Sequence, residues 1–240
     1  MPKRLHLKRY RQIVRVFARN GFGILFEQLG LFSYLRIRNR EGRRDDQQEE
    51  ARTSVGERLR LSCEELGPTF VKIGQVLSTR PDILTPEVTA ELSKLQDAVN
   101  PFPFADVKCV IEQEFSEPLE DIFASFEEKP LASASLSQVH EAVLHTGDSV
   151  AVKVQRPEIS ECIQVDLDIL RDLANFLDNH TKYSETYDFP MMIDELDRTI
   201  KAELDFRREG ENADRFRENL QKKSDVVVPD VRWIYTTERV

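Results

Sequence analysis

The chain of 240 residues has few cysteines and histidines and contains no long apolar run. Its three cysteines, Cys63, Cys109 and Cys162, match no metal-ligand spacing, and their odd number argues against a disulfide framework. The four histidines form no cluster with one another or with the cysteines, so no zinc site is predicted. No run of about 18 apolar residues occurs, so no segment is predicted to span a bilayer. The lack of a disulfide framework favours a reducing, cytosolic compartment.

Positive charge exceeds negative charge only in the first part of the chain. The formal net charge is -9, yet residues 1–44 contain twelve Lys and Arg against two acids, so residues 45–240 carry -19. Such an acidic body argues against a nucleic-acid-binding surface. The basic head also holds aromatic residues such as Phe17 and Phe22, and two interpretations stay open. It binds an anionic membrane surface, or it is an amphipathic helix packed on its own domain. A cleaved transit peptide is a third interpretation, although the segment is not rich in serine.

Helical patterns dominate the first half of the chain. Residues 8–36 predict two or three helices, and the charge run at 39–50 predicts a linker or a solvated helix. Gly67-Pro68 begins a further helix, because proline is tolerated in the first helical turn, and Thr85 then predicts an N-cap. We divide the chain into a basic helical region with its polar linker, a helical extension and a second domain, over residues 1–50, 51–117 and 118–240.

Short runs of β-branched and aromatic residues follow Pro118. Such runs predict strands, and residues 145–148 predict the turn that joins the second strand to the third. Two helical stretches, 158–180 and 192–220, separate the third strand from the fourth. An α+β fold with an antiparallel sheet is therefore predicted, with strands at 122–126, 138–144, 150–154 and 231–235.

Glu209 occupies an unusual position for an acid. In a helix over 192–220 it would lie in an apolar stripe, where a carboxylate needs a cationic partner. The predicted partner is Lys153, because the valines of residues 150–154 alternate onto the opposite face of their strand. Kinase-like folds hold the phosphates of ATP with such a strand lysine and helix acid. A purely structural ion pair, or a helix that turns Glu209 to water, stays open. The stripe consists of Ala202, Phe206, Glu209, Ala213 and Phe216.

The order of the predicted elements matches the small lobe of the protein-kinase fold. The loop between the first two strands, within residues 130–140, should then cover the nucleotide phosphates. Glycines would be expected there, because they let the backbone approach an anion. This chain has Ala132 to Ser135 instead, which are small residues that restrict φ, so we expect a stiffer loop.

Four ordered motifs give the chain a resemblance to the UbiB family of atypical kinases, which act in quinone biosynthesis. Lys72-Ile73-Gly74-Gln75 resembles the family's KxGQ signature, and Ala132 to Ser135 resembles its alanine-rich replacement for the glycine loop. Ala151-Val152-Lys153 resembles the strand-lysine motif. Glu203 to Asp205, followed by Glu209, resembles the ExD motif with its helix acid. The resemblance implies a kinase-like small lobe, α+β in class, preceded by a family-specific helical extension.

The resemblance also implies roles for single residues. Lys153 and Glu209 would form the ion pair that orients the phosphates of ATP, which would bind with Mg²⁺. Lys72 would enter the nucleotide site from the extension and meet Glu203 or Asp205. On a straight helix those two acids point about 160° apart, so both can face Lys72 only if the helix is distorted. The implied nucleotide contacts are Gln75, Ala132, Ser133, Ala134, Ser135 and Lys153.

Two features of the kinase pattern are missing from the sequence. It has no His-Arg-Asp catalytic loop and no Asp-Phe-Gly metal motif, both of which belong to the large lobe. We therefore expect an N-terminal portion that ends at the fifth strand, lacks the large lobe and the Mg²⁺ ligands, and is inactive alone.

The expected function is that of an atypical kinase or ATPase supporting ubiquinone-type, isoprenoid-quinone biosynthesis. The alternative is a non-catalytic lipid- or quinone-binding regulator that keeps the fold. Expected partners are a nucleotide, an anionic membrane surface, lipid or quinone precursors and quinone-biosynthesis proteins, without nucleic acid. The expected location is cytoplasmic and peripheral on the inner membrane, with the mitochondrion or plastid as alternatives.

Overall fold

The computed structural model describes residues 2–28, 53–95, 100–220 and 226–240. The predicted charge run at 39–50 lies outside these ranges. The chain divides into two compact units, each made of two chain segments. The first, the helical unit, contains Met1–Asp97 and Glu161–Asp197, and the second, the sheet unit, contains Ala98–Ser160 and Arg198–Val240.

Two of the helix junctions in the N-terminal part of the helical unit lie at glycines. Gly21 has a φ of +82°, and this non-helical conformation breaks the first helix near the predicted place. Gly67 has φ +92° and ψ -164°, which a residue with a Cβ adopts only under strain. Pro68 then begins the next helix, as predicted. The helices are α1 (Pro2–Phe17), α2 (Gly23–Gln28), α3 (Val55–Leu66), α4 (Pro68–Ser78) and α5 (Pro86–Leu92), with a π-helical turn at Ala18–Phe22.

Helix α1 packs on its own unit. Ile13, Val14 and Val16 are buried, and α3 contacts α1, α4 and α5. The guanidinium of Arg9 forms a two-pronged ion pair with the buried carboxylate of Asp166, at 2.6 and 2.8 Å. A charge pair of this kind holds the helix in one orientation. Within the described part of the basic head, the side of α1 that carries Ile13, Val14 and Val16 is therefore covered by the protein itself.

The sheet unit has an antiparallel sheet whose central strand is β3. Strand β4 pairs along one edge of β3, while β1 and β2 pair with different parts of the other edge. The predicted α+β class is confirmed, although the two-residue strand β2 was not predicted. The bounds are α6 (Phe104–Phe115), α7 (Leu119–Ile122), β1 (Phe123–Phe126), β2 (Ala132–Ser133), β3 (Ser137–Leu144) and β4 (Ser149–Gln155).

One face of this sheet forms the core of its unit. The residues of β3 that point to this face, among them Gln138 and His140, are buried, and α6 packs against β4. The two polar side chains are hydrogen-bonded, since Gln138 Nε2 donates to His140 Nε2 at 3.1 Å and His140 Nδ1 lies 2.8 Å from the carbonyl oxygen of Glu127. The opposite face, which carries Lys153, remains more open.

The predicted helix at 192–220 is two helices, and this corrects the sequence interpretation. The backbone breaks at Asp205, whose carboxylate accepts a hydrogen bond from the amide of Arg207 at 3.2 Å. An aspartate that bonds a first-turn amide begins a new helix. The elements of this part are α8 (Ile159–His180), a 3-10 turn (Lys182–Glu185), α9 (Phe189–Leu204) and α10 (Phe206–Leu220).

The predicted strand at 231–235 is also wrong, because Trp233–Tyr235 forms a 3-10 turn. Its tryptophan contacts a helix instead of pairing with a strand. The indole Nε1 donates to Asp214 of α10 at 2.9 Å, and a Cβ added at Gly210 would lie 3.0 Å from the ring. Tertiary contacts here outweigh the strand propensity of the local sequence.

Candidate functional site

The strand register brings the alanine-rich loop and the strand lysine into one row. Ala132 of β2 pairs with Val139 of β3, and Val139 pairs with Lys153 of β4. Directly paired residues point to the same face of a sheet, and neighbouring strands lie about 4.8 Å apart. The start of the loop therefore lies about two strand spacings from the backbone of Lys153, on the open face.

Lys153 and Glu209 are in contact, as the sequence predicted. Lys153 Nζ lies 2.5 Å from Glu209 Oε2 and 4.7 Å from the centre of the Phe206 ring. The premise of a buried acid was wrong, however, because the side chain of Glu209 is 61% exposed. The break at Asp205 interrupts the proposed stripe, and Phe216 at its far end is exposed as well.

The exposure of this pair limits its value for stability. Ion pairs between solvent-exposed groups contribute about 0–1 kcal/mol. The Lys153 side chain is 37% exposed, so the pair belongs to that class. Stabilisation of the fold is therefore a weak explanation for this pair, which joins a lysine of β4 to an acid of α10.

The pair forms part of the wall of an open pocket with a volume of about 590 Å³. Strand β4, the first half of α10 and the segment from Pro229 to Val240 line it. Most of its side chains are apolar, and Phe123, Val152 and Tyr235 are examples. The residues of the alanine-rich loop do not line this pocket, so the row with the loop and the apolar pocket meet at Lys153.

The alanine-rich loop is closed by its own backbone. The amide of Ala134 donates to the carbonyl of Ser137 at 2.8 Å, and the amide of Leu131 donates to Val139. Ala132 is exposed, whereas Ser133 and Ala134 are half-buried and Ser135 is buried. The loop thus has the compact form that alanine and serine permit.

Arg156 is a residue of this region that the sequence interpretation missed. Its Nη2 lies 3.2 Å from the carbonyl oxygens of both Ala134 and Asn100 and 3.5 Å from Ser133 Oγ. Burial lowers the pKa of its guanidinium. The one signal in the sequence was its place three residues after Lys153, but strand alternation cannot show which loop such a side chain reaches.

Lys72 and Gln75 of the KxGQ motif lie on α4, in the helical unit. Lys72 is half-buried. Gln75 Nε2 donates to the carbonyl of Leu95 at 3.3 Å, and its Oε1 is buried without a hydrogen-bond partner in the described part of the chain. The glycine between them is also buried, and a Cβ at Gly74 would overlap the Cδ1 atom of Leu95. The motif therefore has a packing role as well as the chemical roles that remain predictions.

Glu203 and Asp205 lie on either side of the helix break. Glu203 is exposed in the last turn of α9. Asp205 accepts a hydrogen bond from Arg207 Nε at 2.9 Å, and this bond, together with the backbone bond from the same residue, lowers the pKa of the Asp205 carboxyl. The straight-helix geometry used for these two acids does not apply, because the helix is not continuous.

Replacing Asp205 by alanine should destabilise α10 by about 1 kcal/mol, the usual cost of losing a side-chain cap. The Asp205→Asn variant keeps a capping oxygen and should lose less. Because the pKa of Asp205 is lowered on folding, its stabilisation is present above the ordinary carboxyl pKa of about 3.9 and is lost as the pH falls through the folded value. Urea unfolding followed by the fluorescence of Trp233, at pH 7 and pH 3, measures both effects. Equal stability of wild type and Asp205→Ala at pH 7 would contradict the capping role.

No described residues gather into a metal site. The described segments contain no group of three or more His, Cys, Asp or Glu side chains placed to hold a metal ion. Across the same segments no helix is long and apolar enough to cross a bilayer.

Cys63 is buried, which raises the pKa of its thiol to about 12, so it stays protonated and unreactive near neutral pH.

A sheet that presents a lysine to a helix acid, beside a small-residue loop, defines the small lobe of a kinase-like protein. The sequence matches the ABC1 atypical kinase-like domain over residues 94–240. The chain therefore belongs to the ABC1 atypical kinase-like family, and the resemblance found in its motifs is confirmed.

Several relatives share this similarity. A probable protein kinase UbiB of Xylella fastidiosa is 43% identical over 78% of this chain and 34% of its own length. An uncharacterised Synechocystis protein is 42% identical over 76% of this chain and 31% of its own length. The chloroplastic protein ACTIVITY OF BC1 COMPLEX KINASE 3 of Arabidopsis thaliana is 44% identical over 76% and 26%. The chain thus spans about a third or less of the length of these curated relatives.

A solved structure of a Mycobacterium tuberculosis protein in complex with erythromycin is also similar. It is 28% identical, and the match covers 73% of this chain and 44% of that chain with a TM-score of 0.49.

Proposed function

We propose that this chain is the ATP-binding small lobe, with its extension, of an atypical kinase or ATPase. The observation that carries the proposal is the contact between Lys153 and Glu209, made by a lysine whose strand register aligns it with Ala132 at the start of the alanine-rich loop. An exposed pair of this kind contributes little to folding, whereas a lysine held by an acid is the arrangement that orients nucleotide phosphates.

The described residues offer groups that could bind the phosphates of ATP, but no cluster of ligands for its metal ion. Lys153 offers an ammonium group with three donors on an open sheet face, next to the loop from Ala132 to Ser135. Mg²⁺ would supply charge neutralisation of the phosphates when bound, and we assign it to no residue. Glu209 holds the ammonium of Lys153 in place. Lys72 and Gln75 are proposed to reach the nucleotide from the extension.

The proposal is tested by titrating the purified chain with Mg-ATP and Mg-ADP in a calorimeter. We expect binding of both nucleotides without turnover, because no described residue has the place of the proton-accepting aspartate of the large lobe. The absence of binding at millimolar nucleotide would overturn the proposal. Strong Mg²⁺-dependent hydrolysis, abolished by Lys153→Ala, would show that the reacting residues lie within this chain.

We further propose that the substrate is connected with isoprenoid-quinone biosynthesis. The name of the Xylella relative supports this, as does the apolar pocket beside Lys153. The same pocket favours a second candidate function, a regulator that binds a lipid or quinone without chemistry. Titration with a short-chain quinone, with and without Mg-ADP, separates the two. Binding of the quinone alone, with no nucleotide binding, would favour the regulator.

Membrane contact is proposed to be electrostatic. The buried apolar side of α1 is not available for insertion, but Lys8, Arg11 and Arg15 are exposed along the other side. These cations suit an anionic leaflet. They would place the chain on the inner membrane of a bacterium, or on its mitochondrial or plastid equivalent, beside lipid precursors and other proteins of the pathway.

Replacing Lys8, Arg11 and Arg15 by glutamine should weaken binding to phosphatidylglycerol vesicles about 100-fold at low salt. Each cation near an anionic surface contributes about 1 kcal/mol, and about 1.4 kcal/mol corresponds to a factor of ten. Co-sedimentation measures the bound fraction, which should also fall as salt is added.

A matched control removes the same charge elsewhere. The control variant replaces three exposed lysines outside α1, and it should bind nearly as well as wild type. Equal losses in both variants, or strong binding to neutral phosphatidylcholine vesicles, would show that α1 is not a membrane-binding surface. The control lysines are Lys94, Lys129 and Lys182.

A further inference from the structure

Arg156 connects the alanine-rich loop to a second part of the sheet unit. Its Nη2 lies 3.2 Å from the carbonyl oxygen of Ala134, in the loop, and 3.2 Å from that of Asn100. The guanidinium also lies over the ring of Phe102, 5.0 Å from its centre. One planar cation thus contacts both the loop and the chain segment before α6.

The segment at Asn100 and Phe102 is itself hydrogen-bonded to the central strand of the sheet. The buried side chain of Gln138 brackets the backbone of Phe102, because its Oε1 accepts from the Phe102 amide and its Nε2 donates to the Phe102 carbonyl. Gln138 itself belongs to the central strand β3. A loop that is tied to this segment is therefore tied to the core of the sheet.

The backbone of Arg156 adds a further contact. Its amide donates to the carbonyl of Leu136 at 2.9 Å, just after the loop. Arg156 also follows β4, the strand that presents Lys153. The same stretch of chain therefore carries the lysine and holds the loop that stands in register with it.

We infer that Arg156 is a positioning residue that fixes the alanine-rich loop relative to Lys153. Glycine loops owe their shape to backbone freedom, whereas this loop combines its own backbone hydrogen bonds with a donor from outside it, the side chain of Arg156. Arginine suits the task, because its terminal Nη2 reaches carbonyl oxygens of both segments while the guanidinium plane packs on an aromatic ring. The inference deepens the proposed function and rests on it, since it names what prepares the loop for nucleotide phosphates.

The test measures hydrogen exchange of backbone amides in the purified chain. In Arg156→Gln the amide of Ala134 should exchange at least tenfold faster, while Ala142 and Val143 in the β3 ladder should change less than about twofold. Arg156→Lys keeps the charge but not the planar guanidinium that lies over Phe102, and its effect should be intermediate. Arg239→Gln is the matched control, because that arginine contacts Glu114 at 3.6 Å and not the loop.

A second readout separates this inference from the proposed function. If the wild type binds Mg-ADP, Arg156→Gln should raise the dissociation constant about fivefold, because the loop must then be ordered on binding. Faster exchange throughout the sheet, or unchanged exchange at Ala134, would overturn the positioning role. Loop-specific loss of protection in a chain that binds no nucleotide would uphold the positioning role and reject nucleotide binding.

Discussion

Replacing Lys153 by methionine should weaken Mg-ADP binding about 10- to 150-fold. A hydrogen bond to a charged group contributes about 1.5–3 kcal/mol, and each 1.36 kcal/mol is a factor of ten. Methionine keeps an apolar chain of similar length, so the contact with Phe206 can remain while the ammonium is lost. Calorimetric titration of wild type and variant measures the change directly.

Lys108→Met is the matched control for this prediction. Lys108 is another lysine of the sheet unit that pairs with an acid, at 2.6 Å from Glu120 Oε1, and its loss should leave nucleotide affinity nearly unchanged. Normal affinity in Lys153→Met would reject Lys153 as the phosphate ligand, whatever the control shows.

Glu209→Gln tests whether the acid acts through the lysine. We expect a smaller loss, about three- to tenfold, because glutamine can still accept a hydrogen bond from Lys153. Two residues that act as one unit have non-additive effects. The double variant Lys153→Met/Glu209→Gln should therefore bind no more weakly than Lys153→Met alone, and additive losses would show two independent contacts.

Patterns local in the chain predicted the framework of the sheet unit. The alternation of valines over residues 150–154 placed Lys153 on the open face of β4, and the turn at residues 145–148 joined β3 to β4. These predictions succeed because strand alternation and turn chemistry depend on neighbouring residues only. The proline at Pro68 located a helix start for the same reason.

The contact between Lys153 and Glu209, 56 residues apart, was predicted, but other features that depend on distant contacts were missed. The 3.6-residue periodicity runs through Asp205, so it could not show that the amide of Phe206 bonds the carbonyl of Glu238 and that a new helix begins there. That break also explains why Glu209 is exposed. The reach of Arg156 to Asn100, 56 residues earlier, leaves no periodic signal at all.

Gly74 shows how a recognised motif can combine packing with chemistry. The glycine is buried on α4, where an added Cβ would overlap the Cδ1 atom of Leu95 and lie 3.4 Å from Cys63 Sγ and 3.5 Å from Leu92 Cδ2. Helix α4 can thus approach these residues only because the position has no side chain. Since Lys72 and Gln75 lie on the same helix, their placement depends on this approach.

Gly74→Val should destabilise the chain by about 3 kcal/mol, since overpacking a core costs about 1–3 kcal/mol and valine adds two methyl groups beyond the overlapping Cβ. Gly74→Ala should cost less, because alanine favours a helix over glycine by about 1 kcal/mol and the flexible end of Leu95 can move. Urea unfolding followed by circular dichroism measures both changes. Gly23→Ala is the matched control: that glycine is helical and its Cβ would meet only ordinary contacts at 3.6 Å or more, so stability should stay the same or rise.

The decisive measurement is a double-mutant cycle with Leu95. Leu95→Ala alone should destabilise, because it leaves a cavity beside a buried position. In the Gly74→Ala background, however, the same truncation removes the overlap. The double variant should therefore be more stable than the sum of the two single losses predicts, by about 1 kcal/mol or more. If the two losses of stability simply add, the close contact with Leu95 is not the reason for a glycine at position 74. The packing explanation of the glycine in this motif would then be wrong.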